Sequence, residues 1–360
     1  MSIKPRVLVT GAFGTIGREA VPHLLRSGCE VVAFDLQTPE GRRVEARLRN
    51  GAALSTRWGD ISDGPAVARV VRDVAPGCIL HLASLIPPGI YVDEARSRRI
   101  NLLGTEQLLR AARALNPRPH FVFASSHTVH GYRNGVRDLP LLAPDDPRNA
   151  CDLYTRIKIR CEDLLRDSGL PWTILRYGIA FPKVYSRRID PAAVRLSYLV
   201  PLQSRSHGIH SDDAGLAAAR AATVRPEGKV LMIGGGEAWK QRQRFFIENI
   251  LEAVGVGMLP EAAYYQPDPG RDESWFYNDW LDTAEGQALL GYQRHEPGDY
   301  FEFLARDMGW LRPLARLAAP LVRRRMARLS PFLRGVSAPE PADSTLEQRI
   351  ELYAPPAARA

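Results

Sequence analysis

The stretch Val7 to Gly17, Val-Leu-Val-Thr-Gly-Ala-Phe-Gly-Thr-Ile-Gly, limits the possible folds of this chain more than any other. The β-branched and leucine run Val7 to Val9 has the pattern of a strand buried on both faces. It empties into glycines at 11, 14 and 17, and an amphipathic helix pattern follows (Ile16, Ala20, Leu24, Leu25). A strand–turn–helix of this kind holds a pyrophosphate. Gly11 allows the tight turn, Gly14 lets the backbone approach the phosphates, and Gly17 lets helix and strand pack closely. The N–H groups of the first helical turn then face the anion. A second strand, Glu30 to Phe34, ends at Asp35, 18 residues past Gly17, where a carboxylate holds adenosine ribose hydroxyls. The stretch therefore predicts a dinucleotide site built from Gly11, Phe13, Gly14, Thr15, Ile16, Gly17 and Asp35.

Strand-like and helix-like segments alternate on through about residue 175. Strands are expected near 53–58, 78–82, 121–124 and 172–175. Helices are expected near 39–50, 65–74, 92–115 and 153–167. Strands separated by helices mean parallel crossovers, hence an α/β fold with a doubly wound parallel sheet of Rossmann type. Beyond Arg176 the pattern loosens, with a strand at 229–233 and helices at 214–222, 245–254 and 282–290. This part is expected to form a smaller, mixed C-terminal substrate lobe. The division expected is 1–178 for dinucleotide binding, 179–310 for the interleaved lobe, 311–335 for a basic amphipathic segment and 336–360 for a largely disordered tail. Within that tail, Ser344 and Glu347 suggest a capping box for a short helix at 346–353.

Charge separates function classes here. The formal charge is +8, but residues 306 to 335 hold eight arginines and one acid, a net +7, so the remainder is close to neutral. The high isoelectric point describes one segment, and no nucleic-acid partner is expected. In 309–334 apolar residues (Leu314, Leu317, Leu321) interleave with arginines. That suits either weak contact with an anionic membrane surface or docking on the lobe or a dimer partner, and Pro313, Pro320 and Pro331 are expected to break the helix. Cys29, Cys78, Cys151 and Cys161 have no metal-ligand spacing and read as reduced thiols. The first strand begins so close to Met1 that no secretory leader is expected, and a cytoplasmic location follows. The spacing of His127, His130, His207 and His210 is irregular, and no metal site is expected.

Tyr154 and Lys158 lie four apart on an expected helix and share a face. A lysine ammonium beside a phenol stabilises the phenolate and lowers its pKa, which gives a general acid/base. Ser126 arrives at the same sheet edge from the strand at 121–124.

Together these residues resemble the extended short-chain dehydrogenases/reductases, in particular their NAD-dependent epimerase/dehydratase group. The marks are Thr10 to Gly17, Asp35, Asp60-Ile61, His81 to Ser84, Asn101 to Thr105, Phe121 to Ser126, Tyr154 with Lys158, Leu175 to Gly178 and Ile209 to Asp213. The resemblance implies NAD as cofactor, with NADP the less favoured choice because Asp35 repels a 2′-phosphate; Arg42 and Arg43 are its only support. It implies adenine contacts from Asp60 and Ile61, and further cofactor contacts from Leu82, Ala83, Asn101, Tyr154 and Lys158. Ser126 would hold the substrate oxygen, Tyr154 would move the proton, and Lys158 would tune it. Asn101 supports a proton relay or simply packs its helix. A small-molecule substrate and a homodimer are likewise implied.

Departures narrow the chemistry. Sugar-nucleotide 4,6-dehydratases of this group carry an Asp-Glu pair where this chain has His127 and Thr128, so the acid and base for water loss are missing. The interval from Arg176 to His210 is short for a sugar-nucleotide clamp. It contains Arg187, Arg188, Arg195 and, close to its end, Arg205 as candidate anion contacts. Leu85, Ile86, Pro87 and Pro88 would give the substrate mouth an apolar wall, as suits a less polar alcohol. The main expectation is an NAD-dependent oxidoreductase acting on a secondary alcohol or ketone. A sugar or sugar-nucleotide epimerase using transient oxidation is the first alternative, and a non-catalytic NAD-binding regulator is the second.

Overall fold

A computed structural model describes residues 5–49, 53–183 and 191–334. The chain runs β1 (Arg6–Thr10), α1 (Gly17–Arg26), β2 (Glu30–Asp35), α2 (Pro39–Leu48), β3 (Leu54–Trp58), α3 (Gly64–Val74) and β4 (Cys78–His81). It continues through α4 (Glu94–Ser97), α5 (Gly104–Arg113), β5 (His120–Ser126), α6 (Leu153–Arg166), β6 (Trp172–Tyr177) and β7 (Ile179–Phe181). Then come α7 (Pro191–Leu199), β8 (Arg205–His210), α8 (Ser211–Val224), β9 (Lys229–Ile233), β10 (Lys240–Arg242) and α9 (Gln243–Ala253). Helices α10 (Ala284–Leu290), α11 (Pro297–Met308) and α12 (Leu311–Ala327) complete the described chain.

Seven strands form one sheet in the order β3-β2-β1-β4-β5-β6-β9, and every pairing in it is parallel. The expected doubly wound fold is therefore present. Alternation along each strand feeds two cores. On β1, Val7 and Val9 face α1 and α8, whereas Leu8 faces the layer of α3, α5 and α6. Helix α8 lies so close to α1 that a Cβ on Gly215 would stand 2.5 Å from the Cβ of Glu19.

The lobe holds a second, three-stranded mixed sheet, β10-β8-β7. Two of its strands are short and polar (Arg205 to His210, Lys240 to Arg242) and the third, β7, is only three residues long, so hydrophobic periodicity does not reveal them, and they were not expected. Helices α7 and α11 were missed as well. The stretch expected as one helix over 92–115 is instead interrupted: α4 passes into a π-helical turn, Arg98–Leu103, before α5. Nor do the prolines break the basic segment, because α12 runs through Pro313 and Pro320. Pro313 sits in the first turn, where its missing N–H would have no partner within the helix. The capping box at Ser344 and the helix at 346–353 lie outside the described residues.

One buried ion pair fastens α6 to the sheet. Glu162 accepts from Arg176 at both oxygens (2.9 and 2.7 Å) and from the Ser125 hydroxyl at 2.6 Å. Arg176 also donates to the Pro144 carbonyl and meets His130 Nε2. Despite burial, these partners hold the Glu162 carboxyl below its ordinary value. Its stabilisation is thus complete above the unfolded carboxylate range and fades as pH falls below it. Glu162→Leu, which leaves the arginine buried and unpaired, should cost about 3–5 kcal/mol, and adding Arg176→Met should restore most of the loss. Urea unfolding of the single and double variants measures both effects.

Candidate active site

Strands β1 and β4 are neighbours at the point where the winding direction reverses, so the turns after them open a shared crevice. A cavity of about 370 Å³ occupies it. Gly11, Gly14, Thr15, Ile16 and Gly17 line it from the β1 turn, Asp35, Asp60 and Ile61 from one side, and Leu82 and Ala83 from the β4 turn. Leu36, Arg96 and Ile100 also face it, and nothing in the sequence pattern singled them out.

The glycines have separable causes. Gly11 has φ +67°, and a Cβ there would come within 2.6 Å of the Ala83 nitrogen; at Gly17 it would come within 2.2 Å of the Gly11 oxygen. Both residues are small because the two turns pack on each other and on the helix start. At Gly14 the only close neighbour would be the Gly11 oxygen at 3.4 Å, so its missing side chain leaves open room. The Arg18, Glu19 and Ala20 amides already donate to the Gly14 and Ile16 carbonyls, so the open space over Gly14 at the start of α1 is the feature that suits a pyrophosphate.

Asp35 is held in place by the backbone: Phe13 N–H donates to one carboxylate oxygen at 2.8 Å and Leu36 N–H to the other at 2.7 Å. Burial raises its pKa and these two amides oppose the rise. Phe13 therefore serves through its amide, while its ring leans on Trp58 at 5.2 Å rather than lining the cavity. The Arg42 guanidinium stacks 5.9 Å from the Trp58 ring. Ser62 donates to Asp60 through N–H and hydroxyl, both at 2.8 Å. Asn101 does not line this wall. Its amide grips Leu85 in both directions, accepting from the N–H at 2.7 Å and donating to the carbonyl at 2.8 Å. It thereby fixes the loop that carries Ile86, Pro87 and Pro88.

A second cavity, about 510 Å³, shares Thr15, Ile16, Leu82, Ser84 and Ile86 with the first. Ser126, Tyr154 and Lys158 line this second cavity. Parallel pairing brings Ser126 to the C-terminal edge opposite Tyr177, and α6, capped by Asp152, presents Tyr154, Lys158 and Glu162 at intervals of four. The Ser126 hydroxyl hydrogen-bonds the Tyr154 phenol and accepts from Thr128 Oγ1 at 3.1 Å. Lys158 donates to the Ala124 carbonyl at 2.8 Å and lies 5.7 Å from the Tyr154 ring.

The electrostatics differ from the sequence expectation. Burial raises the Tyr154 phenol above its ordinary value; Ser126 lowers it and the Asp152 carboxylate raises it further. Lys158 does not set this balance, because its ammonium is turned toward Ala124. Burial instead lowers Lys158 to about 8, against the charges of Cys161 and Glu162. Without a bound ligand the pair is a protonated phenol beside a destabilised ammonium.

The other candidates have different assignments. Arg205 does not reach the substrate cavity: it is buried against Asp279 (2.8 Å) and donates to the Leu139 carbonyl. Arg195 on α7 does not line it, and Arg187 and Arg188 lie outside the described residues. His130 joins Arg176, His207 bonds Gly235 and Leu281, and His210 stacks on His295 at 4.2 Å. Asp212, Asp213 and His295 bring ligand atoms within 4.8 Å of one another. Asp213 is committed to the Arg294 and His295 amides and the His295 ring, and Asp212 to His23.

His127 is the residue whose importance the sequence understated. It is buried in the second cavity's wall, and its Nδ1 meets the Tyr177 carbonyl at 2.8 Å. That contact makes Nδ1 the donor, and burial holds the ring below its ordinary pKa. Nε2 is buried, and the ring also takes a hydrogen bond with the Asn278 side chain, which lines the same cavity.

Comparison with known proteins bears on the family and the fold. The model of the NAD dependent epimerase/dehydratase family matches residues 7–195. The dTDP-glucose 4,6-dehydratase of Streptomyces antibioticus is 30% identical over 352 residues, covering 88% of this chain and 96% of that protein. The UDP-glucuronate 4-epimerase 1 of Arabidopsis thaliana is 28% identical over 184 residues, 50% of this chain, which spans 42% of that relative's length. Among solved structures, the UDP-Glc/GlcNAc 4-epimerase of Campylobacter jejuni superposes with a TM-score of 0.68 at 18% identity, covering 85% of this chain and 98% of that one. That likeness speaks to the fold.

A lysine held below its ordinary value binds its proton less tightly in the folded chain than in the unfolded one. Folding therefore gains stability as pH rises from about 8 to 10.5. Lys158→Met, which removes the buried charge, should be about 3 kcal/mol more stable than the parent at neutral pH. The gap should narrow across that interval, as urea unfolding at both ends would show.

Proposed function

This chain belongs to the NAD-dependent epimerase/dehydratase family of extended short-chain dehydrogenases/reductases, and on that premise we propose that Ser126, Tyr154 and Lys158 carry an oxidoreductase reaction on a secondary alcohol or its ketone. One observation supports the reading: the three side chains line a cavity that shares Thr15, Ile16, Leu82, Ser84 and Ile86 with the glycine-lined one. The fit of the first cavity to NAD rests on the space over Gly14 at the N-terminus of α1 and on the Asp35 carboxylate in the cavity wall, where it would meet ribose hydroxyls. Asp35 also disfavours a 2′-phosphate at the same place. Bound NAD supplies the acceptor or donor of the hydride on the substrate carbon.

The chain's own groups manage the oxygen. Ser126 Oγ holds the substrate oxygen next to the Tyr154 phenol. When the ketone is reduced the phenol gives its proton to the forming alkoxide; when the alcohol is oxidised Tyr154 must first release its own proton to solvent, and the resulting phenolate takes the hydroxyl proton. The raised pKa of Tyr154 keeps that proton in place before ligands arrive, and Ser126 is the group that eases its release. Lys158 anchors to Ala124 and lines the same cavity, positioned for a ribose hydroxyl. Thr128 donates to Ser126 and so orients it instead of acting as the base of a dehydration.

His127 and Asn278, hydrogen-bonded to each other, place polar groups in the wall of the second cavity. Among the described residues no arginine lines the second cavity; Ile86, Pro87, Leu196, Val200 and Phe276 give it an apolar wall. This favours net oxidation or reduction of a compact ring alcohol. The second reading is epimerisation of a sugar nucleotide through transient oxidation, supported by the relatives. Any grip on its phosphates would have to come from outside the described residues, such as Arg187 and Arg188.

A spectrophotometric screen of alcohols, uronic acids, sterols and sugar nucleotides with NAD and NADP separates these readings. Stoichiometric NADH formation marks net oxidation, whereas retained NAD with product but no net NADH marks epimerisation. Tyr154→Phe should lower turnover by about 10²–10⁴-fold while leaving NAD binding intact, and unchanged turnover would remove the assignment.

A further inference from the structure

Helix α12 carries an outward face that the oxidoreductase reading leaves unused. Trp310, just before it, and Leu314, Leu317 and Leu321 on it are 76%, 51%, 82% and 72% exposed. Their spacing of four, three and four residues makes a single stripe. The stripe continues into Arg324, Arg325 and Arg328, all exposed. The opposite side is firmly seated. Val322 and Met326 pack in the cluster around Tyr198, Leu251 and Tyr264, and the Tyr198 hydroxyl donates to the Met326 carbonyl at 3.0 Å. Arg316 pairs with Glu252 at 2.9 Å, and Arg323 donates to the Val256 carbonyl at 3.0 Å.

Amphipathic order is thus inverted from what burial alone would choose. Arginines 312, 316 and 323 turn to the domain, and leucines turn outward. Helix α12 contains no acid, so nothing on it neutralises the arginines at its exposed end. Tryptophan and leucines followed by guanidinium groups match the interfacial plane of a bilayer, with acyl chains for the stripe and anionic headgroups for the charges. We propose that α12 docks this protein on an anionic membrane surface. A second copy of the chain fits less well, because two such faces brought together supply apolar contact and no carboxylate. Phe332, past the helix, packs with Leu196, Val200 and Phe276, residues that also line the second cavity, so the docked element and the substrate cavity belong to one lobe.

Flotation of the full-length protein with phosphatidylcholine vesicles, with and without phosphatidylglycerol, at low and high salt, tests this. Binding is expected only to the anionic vesicles and should weaken with salt. Each arginine near such a surface contributes roughly fivefold, so Arg324→Gln, Arg325→Gln and Arg328→Gln together should weaken binding about a hundredfold. Leu317→Glu with Leu321→Glu should abolish it while the unfolding midpoint stays unchanged, since both positions are exposed. Equal binding to neutral vesicles would overturn the proposal. So would failure to bind either kind, as when residues 336–360 occupy the face, or a solution dimer that the Leu317/Leu321 variant splits into monomers.

Discussion

The geometry of the candidate site depends on a carboxylate buried one turn beyond Lys158. Glu162 takes both arms of Arg176 from β6 and the hydroxyl of Ser125 from β5, so one side chain ties α6 to two adjacent strands. Tyr154 and Lys158 are carried on α6, and Ser126 follows Ser125. A shift of α6 along the sheet would therefore break this pair before it separated phenol from serine. The pair is buried and fully hydrogen-bonded, the condition under which desolvation is offset and the geometry becomes specific.

Burial also explains why the phenol and the lysine do not act as a simple charge pair. Enclosure disfavours both charged forms, raising Tyr154 and lowering Lys158, and the ammonium is spent on the Ala124 carbonyl. The chain keeps its proton on Tyr154 and offers Ser126 as the one group that makes the phenolate easier to reach. A further anion, Asp152, caps the same helix and works against that release. Helix capping and acid strength are thus coupled at a single residue.

Other elements hold the surroundings still. Asn101, at a π-helical turn, clasps Leu85 and with it the apolar lip of the cavity. His81 bridges Thr10 on β1 to Thr105 on α5 through its two nitrogens, and burial lowers it to about 3, so it remains neutral. Motifs that read as functional from sequence therefore divide. Some touch the cavities, and others, like His81 and Asp213, fasten the scaffold.

The sequence by itself determined the order of strands and helices, the glycine turn, the acid at 35 and the four-residue spacing of Tyr154 and Lys158. All of these are encoded in local periodicity or short-range spacing. It left hidden the short strands of the lobe, whose pairing is non-local, and the continuity of α12 through its prolines. Only the tertiary structure decided which charges are buried, and hence that Lys158 does not lower the phenol. Tertiary packing also turned Arg205 away from the substrate cavity, buried His127 between the Tyr177 carbonyl and the Asn278 side chain, and set the leucines of α12 outside. Each of these depends on which surfaces pack together, which local periodicity and spacing leave undetermined.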